Sequence, residues 1–205
     1  MKSSAATPTM TSRAYRSSTR PPVRSPIAPT PGSAPLPGEE VVLRDGRRLI
    51  LRPIHASDAP ALQRGFAHLS QEEVRMRFLH LLTELPDALA QRLCDLDPAH
   101  EVAFVIVDPL EVGEPEVHAV ARAYFDPATN AAEFALVVQK ALSGQGLGDL
   151  LMRHLLDACR ASGADEIWGD VLAENHLMLS LCEHLGFERA PAHHDPGLIR
   201  VSMKI

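Results

Sequence analysis

One stretch of this chain leaves few choices for what it can fold into. From Ala132 to Cys159 it reads Ala-Glu-Phe-Ala-Leu-Val-Val-Gln-Lys-Ala-Leu-Ser-Gly-Gln-Gly-Leu-Gly-Asp-Leu-Leu-Met-Arg-His-Leu-Leu-Asp-Ala-Cys. Phe134 to Val138 are β-favouring or small apolar residues without a break, which predicts a strand. Leu147, Leu150, Leu151, Leu155 and Ala158 recur at helical spacing, which predicts an amphipathic helix. Between them lies Ser143-Gly-Gln-Gly-Leu-Gly148. A helix entered through glycines presents free backbone N–H groups and the positive end of its dipole, and glycine lets a bulky anion approach the backbone. The segment therefore reads as a phosphate-binding turn. The same glycines also suit a plain tight connection, although each would cost about 1 kcal/mol if it fell inside the helix.

What is missing narrows the choice of phosphate. A Walker loop ends in Gly-Lys-Ser/Thr, whereas Gly148 is followed by Asp149 and Leu150. The dinucleotide fingerprint Gly-x-Gly-x-x-Gly fails as well, because Asp149 occupies the place of its third glycine. Both nucleotide readings weaken.

Strand, glycine turn, amphipathic helix, a second strand over Glu166–Leu172, then Glu174-Asn175 opening a helix that closes on Leu185-Gly186-Phe187: this order resembles the GNAT family of N-acetyltransferases, over roughly Val41 to Ile205. The wider context, Leu43-Arg-Asp-Gly-Arg-Arg-Leu-Ile-Leu-Arg-Pro-Ile54 with Leu69-Ser70 and Arg75-Met-Arg-Phe78, is similar to bacterial protein lysine acetyltransferases that modify acyl-CoA synthetases. The resemblance implies an α+β fold with a GNAT-type mixed, mostly antiparallel central sheet flanked by helices. It also implies acetyl-CoA as co-substrate. Its pyrophosphate would lie on Ser143, Gly144, Gln145, Gly146, Leu147, Gly148 and Asp149, and its pantetheine arm along the backbone of Val137 and Val138. Asn175 would reach the same arm, although N-cap duty alone explains an Asn there.

Moving acetyl from a thioester to an amine needs positioning and removal of a proton, since an amine with a pKa near 10 is mostly protonated at pH 7. The resemblance puts the base at Glu133, and the residue type alone also fits a solvated carboxylate at a strand end. Glu101, at the start of the neighbouring strand, is the fallback base. Two positions depart from the family: Ser143 stands where Arg or Gln is usual, and Cys182 where many relatives place a Tyr as acid. A cysteine is a weak donor, so Cys182 is expected in the core, with CoA leaving as thiolate or taking its proton from water. These departures keep open a non-catalytic acyl-CoA-binding sensor, alongside a small-molecule amine as acceptor.

Residues 1–38 hold eight of the 17 prolines and five basic residues but no acid, which predicts a disordered tail ahead of one folded domain over 39–205. An acid-free, Arg/Ser-rich tail also fits a transit peptide. The remainder carries 15 basic against 26 acidic residues, a net of −11, which disfavours nucleic acid and suits a cationic acceptor. No run of about 18 apolar residues exists to span a bilayer, and three cysteines without a Cys-x-x-Cys fit a reducing cytoplasm. His193-His194-Asp195 lies between Pro191 and Pro196 with no third ligand at a useful spacing, so no metal is expected.

In chain order the pattern predicts a strand over Leu49–Ile54, a helix opened by Asp58 and Pro60, a capping box from Ser70 to Glu73, and a helix over Asp87–Leu96. Strands follow over Glu101–Val107 and Val117–Phe125, and a closing strand over Leu198–Ile205. Glu101–Val107, Val117–Phe125 and the strand ahead of the glycine turn read as a three-stranded antiparallel meander, with crossovers adding parallel partners.

Overall fold

The computed structural model describes residues 38–79, 82–109, 113–192 and 195–205. The expectations for the N-terminal tail, apart from Gly38, and for His193 and His194 lie outside these residues.

Alternating or continuous apolar runs form the strands where expected. Strands β1 (Glu39–Val42), β2 (Arg48–Pro53), β3 (Glu101–Val107), β4 (Val117–Asp126) and β5 (Ala131–Val138) are consecutive antiparallel neighbours. After β5 come the helix α4 (Leu147–Ala161) and β6 (Glu166–Leu172), which lies parallel to β5. The remaining strands are β7 (Glu188–Pro191) and β8 (Leu198–Lys204), and the sheet order is β1-β2-β3-β4-β5-β6-β8-β7.

Two details correct the sequence reading. The antiparallel run has five strands rather than three, because β2 pairs with β3 and the short, largely exposed β1 adds a further edge that its charged sequence does not announce. Among the described residues a single strand pair is parallel: β8 returns from a hairpin with β7 and slots in antiparallel beside β6.

Helices cover both faces. One carries α4, whose Leu151, Met152 and Leu155 are fully buried, and each such side chain contributes about 1.5–3 kcal/mol over its exposed state. The helix α5 (His176–His184) belongs to this core through Leu179 and Cys182. The opposite face carries α1 (Ala59–Ala67), α2 (Gln71–Phe78) and α3 (Asp87–Cys94). Here α1 lies so close to β4 that a Cβ at Gly65 would stand 1.9 Å from the carbonyl oxygen of Val117.

Caps fix where these helices begin. Ser70 and Glu73 form the expected box: Ser70 Oγ accepts from Glu73 N–H at 3.2 Å, and Ser70 N–H donates to Glu73 Oε2 at 2.8 Å. Glu73 Oε1 also accepts from Lys140 N–H at 2.6 Å, which ties α2 to the short 3-10 turn leading into the glycine segment. Asp58 precedes α1 as expected but does not cap it. Its carboxylate is held by Arg52 at 2.7 and 2.8 Å and by His55 N–H at 2.8 Å, which locks the end of β2 to the start of α1.

Candidate active site

The β5–β6 ladder is short. Pairing runs Ala131 to Glu166, Ala132 to Ile167 and Glu133 to Trp168, and then stops, while β5 continues to pair with β4 as far as Val138. From Phe134 to Val138 the edge of β5 that faces β6 is therefore open. The strands diverge because β5 feeds the turn into α4 whereas β6 is drawn away by its seven-residue ladder with β8.

Glu133 sits at the apex of that divergence and is 8% exposed. The register places Glu101, Tyr124, Glu133 and Trp168 in one row across four strands, on the α1–α3 face of the sheet. Arg122 stands one pair further along, opposite Ala135. On the far side of the cleft, Trp168 carries the Arg200 guanidinium 3.8 Å from its ring centre, and Asp170 holds that guanidinium at 2.5 and 2.9 Å. An ion pair between Arg75 of α2 and Glu174 spans from one wall to the other.

The glycine segment forms the other end of the cleft. Gly144 and Gly146 have φ of 75° and 85°, a left-handed backbone that side-chain-bearing residues adopt at a cost. The result is that the N–H groups of Gly144, Gln145, Gly146, Leu147, Gly148 and Asp149 find no acceptor among the described residues. Leu150 N–H, at 3.0 Å from Gly146 carbonyl oxygen, makes the first helical bond. Gln145 turns away, its Oε1 accepting from Arg44 N–H at 3.2 Å. Asp149 points along the helix to Arg153 at 2.7 and 3.1 Å, so what it offers the cleft is backbone. Gly148 is a packing glycine, since a Cβ there would lie 3.1 Å from Leu181 Cδ2. Ser143 is exposed at the lip, and its N–H is taken by the Lys140 carbonyl oxygen at 3.0 Å.

Asn175 caps α5, with Oδ1 accepting from Met178 N–H at 3.2 Å, which leaves its amide nitrogen uncommitted to the cap. Val137 and Val138 lie on the open part of β5. Glu133, Val137 and Val138 thus lie along β5, the glycine turn follows that strand into α4, and Asn175 opens α5 after β6.

Glu101 does not qualify as the fallback base. Arg92 grips it with two bonds of 2.9 and 2.8 Å and Asp97 N–H adds a third at 3.1 Å, so its lone pairs are committed to α3. Cys182 is fully buried, and burial pushes its thiol up to about 12. It packs in the α4 core, as its apolar reading expects. Among the described residues no group of three His, Cys, Asp or Glu side chains is placed to hold a metal, and no helix is long and apolar enough to cross a membrane.

Sequence reasoning missed Tyr124, Trp168, Arg122 and Arg77. A signal existed for Arg122, a charged residue inside the otherwise apolar run Val117–Phe125. Arg77 lies in the quoted Arg75-Met-Arg-Phe78, but nothing in that spacing says which arginine turns inward.

Comparison with known proteins identifies the family of the fold. The family model described as an acetyltransferase (GNAT) domain matches residues 48–188. An acetyltransferase of Pseudomonas aeruginosa is 32% identical over 145 residues, 71% of this chain and 77% of that protein. The [ribosomal protein bS18]-alanine N-acetyltransferase of Escherichia coli is 33% identical over 78 residues, 38% of this chain and about half (51%) of that protein. Among solved structures, the GNAT domain of S. lividans PAT superposes with a TM-score of 0.71 at 25% identity, covering 82% of this chain and 97% of that one. By the family model over most of its length and the 32% identical relative, the chain belongs to the GNAT acetyltransferase family.

Proposed function

We propose that this chain is an acetyl-CoA-dependent N-acetyltransferase with Glu133 as its base and a protein lysine as its acceptor. The observation that carries the proposal is the end of the β5–β6 ladder at Glu133 and Trp168, which sets an open backbone edge beside a buried carboxylate. GNAT enzymes use acetyl-CoA, and the residues present fit it. The unpaired N–H groups of Gly144 to Asp149 suit a diphosphate, and the free edge from Ala135 to Val138 suits the amides of a pantetheine arm.

In this reading the backbone near Val137 and Val138 orients the thioester carbonyl. The amine nitrogen attacks the carbonyl carbon, the new C–N bond forms, the C–S bond breaks, and the displaced ammonium proton passes to Glu133. The sulfur leaves as thiolate or is protonated by water, since Cys182 is outside the cleft. A protein acceptor is supported by the bS18-alanine relative, whose substrate is a ribosomal protein amine. Lysine is supported by the sequence resemblance to protein lysine acetyltransferases. A small amine or a sensor without turnover are the competing outcomes.

The test is CoA release from acetyl-CoA across lysine-containing proteins and peptides, peptides with N-terminal alanine, and small amines, run beside calorimetry of acetyl-CoA. Turnover on a lysine, lost in Glu133→Gln while acetyl-CoA binding persists, is the expected result. Tight binding with no CoA released from any acceptor would establish the sensor instead.

A further inference from the structure

Between α1–α3 and the sheet lies a cavity of about 50 Å³, walled by apolar side chains such as Phe66, Phe78, Leu85 and Val137. Two arginines, Arg77 and Arg122, also line it. Arg122 is committed: it donates to the carbonyl oxygen of Leu93. Arg77 is not. Its guanidinium stands 5.0 Å from the ring centre of Phe78 and has no hydrogen-bond acceptor and no ion pair among the described residues. Burial, and then the like charge of Arg122, push the pKa of Arg77 down, with Glu133 opposing them more weakly.

The other charges around this end of the sheet are largely committed. Glu101 is gripped by Arg92, which Asp95 and Asp97 also attract, and it acts on Arg122 as well. At the other end of the cavity His118 is already matched, to Asp108 at 2.8 Å and Glu116 at 3.1 Å. Among the described residues Arg77 is thus a desolvated cation without a hydrogen-bonded acceptor beside apolar walls, which leaves its N–H donors available to an arriving anion.

We propose that this cavity is a carboxylate subsite for the acceptor, with Arg77 as the group that receives the anion. A guanidinium presents a planar fork of N–H donors that matches a carboxylate better than any other common anion of this size. At about 10–15 Å³ of such volume per water-sized group, the cavity takes roughly four, which is a carboxylate and one or two methylenes. The subsite adjoins the base: Arg122 and Glu133 are diagonal neighbours on one face of β4–β5, with backbones about 7–8 Å apart. Glu133 also acts electrostatically on Arg77, so an amine at Glu133 and a carboxylate at Arg77 fit one molecule. Either a free amino-acid-like amine or a lysine flanked by an acidic residue supplies that chemistry. The inference rests on the acetyltransferase reading for what the subsite serves, and its test separates the two.

Two matched pairs of acceptors are compared: lysine against lysine amide, and a peptide with Glu beside its lysine against the same peptide with Gln. One charge-assisted bidentate contact predicts a preference of about 10- to 100-fold in kcat/KM for the carboxylate member of one pair, and which pair shows it identifies the source. Arg77→Met should reduce the preference to near unity with unchanged acetyl-CoA affinity, and Arg77→Lys should restore part of it. A second readout needs no turnover: excess propionate should raise the Tm of the wild type and not that of Arg77→Met. Arg77→Met itself should be as stable as the wild type or more so, because an unmatched cation is removed. Propionate stabilisation without CoA release would leave the subsite standing and overturn the transferase reading. Turnover with equal rates within both pairs, or a propionate effect retained in Arg77→Met, would overturn the subsite.

Discussion

The two faces of the sheet are built on opposite plans. Against α4 the packing is apolar throughout, with Leu151, Met152, Leu155, Ile167 and Val201 fully buried in a single cluster. Against α1–α3 the packing is interrupted by a cavity and by Glu101, Arg122 and Glu133, all charged and all buried. Charge in a low-dielectric setting is costly and strongly interacting, so it is concentrated where chemistry uses it. One face is apolar throughout, and the other gives up packing to hold charged groups.

That contrast is most sharply broken at Glu133. General-base catalysis contributes about 10²–10⁴-fold, so Glu133→Gln should lower kcat by that factor while Tm and acetyl-CoA affinity hold. Raising the pH should partly rescue it, because more of the amine then arrives deprotonated. A wild-type rate at neutral pH would remove Glu133 from the role.

Gly146→Glu probes the turn that joins the two faces. A Cβ at Gly146 meets nothing within 4 Å, so the new side chain fits, but it points a carboxylate into the space where the diphosphate is proposed. Acetyl-CoA binding should vanish in calorimetry, and the left-handed φ should cost about 1–2 kcal/mol of stability without unfolding the domain. Retained affinity would refute the phosphate assignment.

On the packed face the expected effect is structural. Leu155→Ala should cost about 2–5 kcal/mol in denaturant unfolding, with kcat per folded molecule unchanged. Leu85→Ala, beside the cavity, should fall at the low end of that range, because a side chain against a void has fewer contacts to lose. Equal losses would show that the cavity face is as tightly packed as the other.

The smallest effect is a pH dependence of the α1–α3 face. Burial pushes Asp58 up, but hydrogen bonds from Arg52 and His55 N–H outweigh it and hold its pKa below the ordinary carboxylate value. A depressed pKa gives stability that is present above the unfolded value and is lost as pH falls through the folded one. Thermal unfolding should therefore show a loss in the acid range below about pH 4, and Asp58→Asn should flatten it. An unchanged acid limb would mean that Asp58 does not set it.

Much of this was legible from spacing. The strand, glycine turn and helix of residues 132–159 appear as read, the Ser70–Glu73 box forms as read, and Glu166–Leu172 has the bounds expected. Strands β1 and β7 were not legible, since four residues each, exposed apart from the half-buried Val41, carry no periodic signal. The residues of the cleft divide in the same way: glycines declare themselves because their backbone role is local, whereas Arg77, Tyr124 and Trp168 acquire their places through register and helix packing.

By itself, the sequence determined the elements and the turn: apolar periodicity chooses strand or helix, and glycines at 144 and 146 permit the left-handed backbone that frees a row of N–H groups. Only the tertiary structure decided where the ladder between β5 and β6 stops, that Arg92 removes Glu101 from use while Glu133 stays at the apex, and that Arg77 faces a cavity with no hydrogen-bonded acceptor among the described residues. Those outcomes depend on pairings between residues far apart in the chain, and no local preference encodes which of several equivalent charges will meet its counterpart.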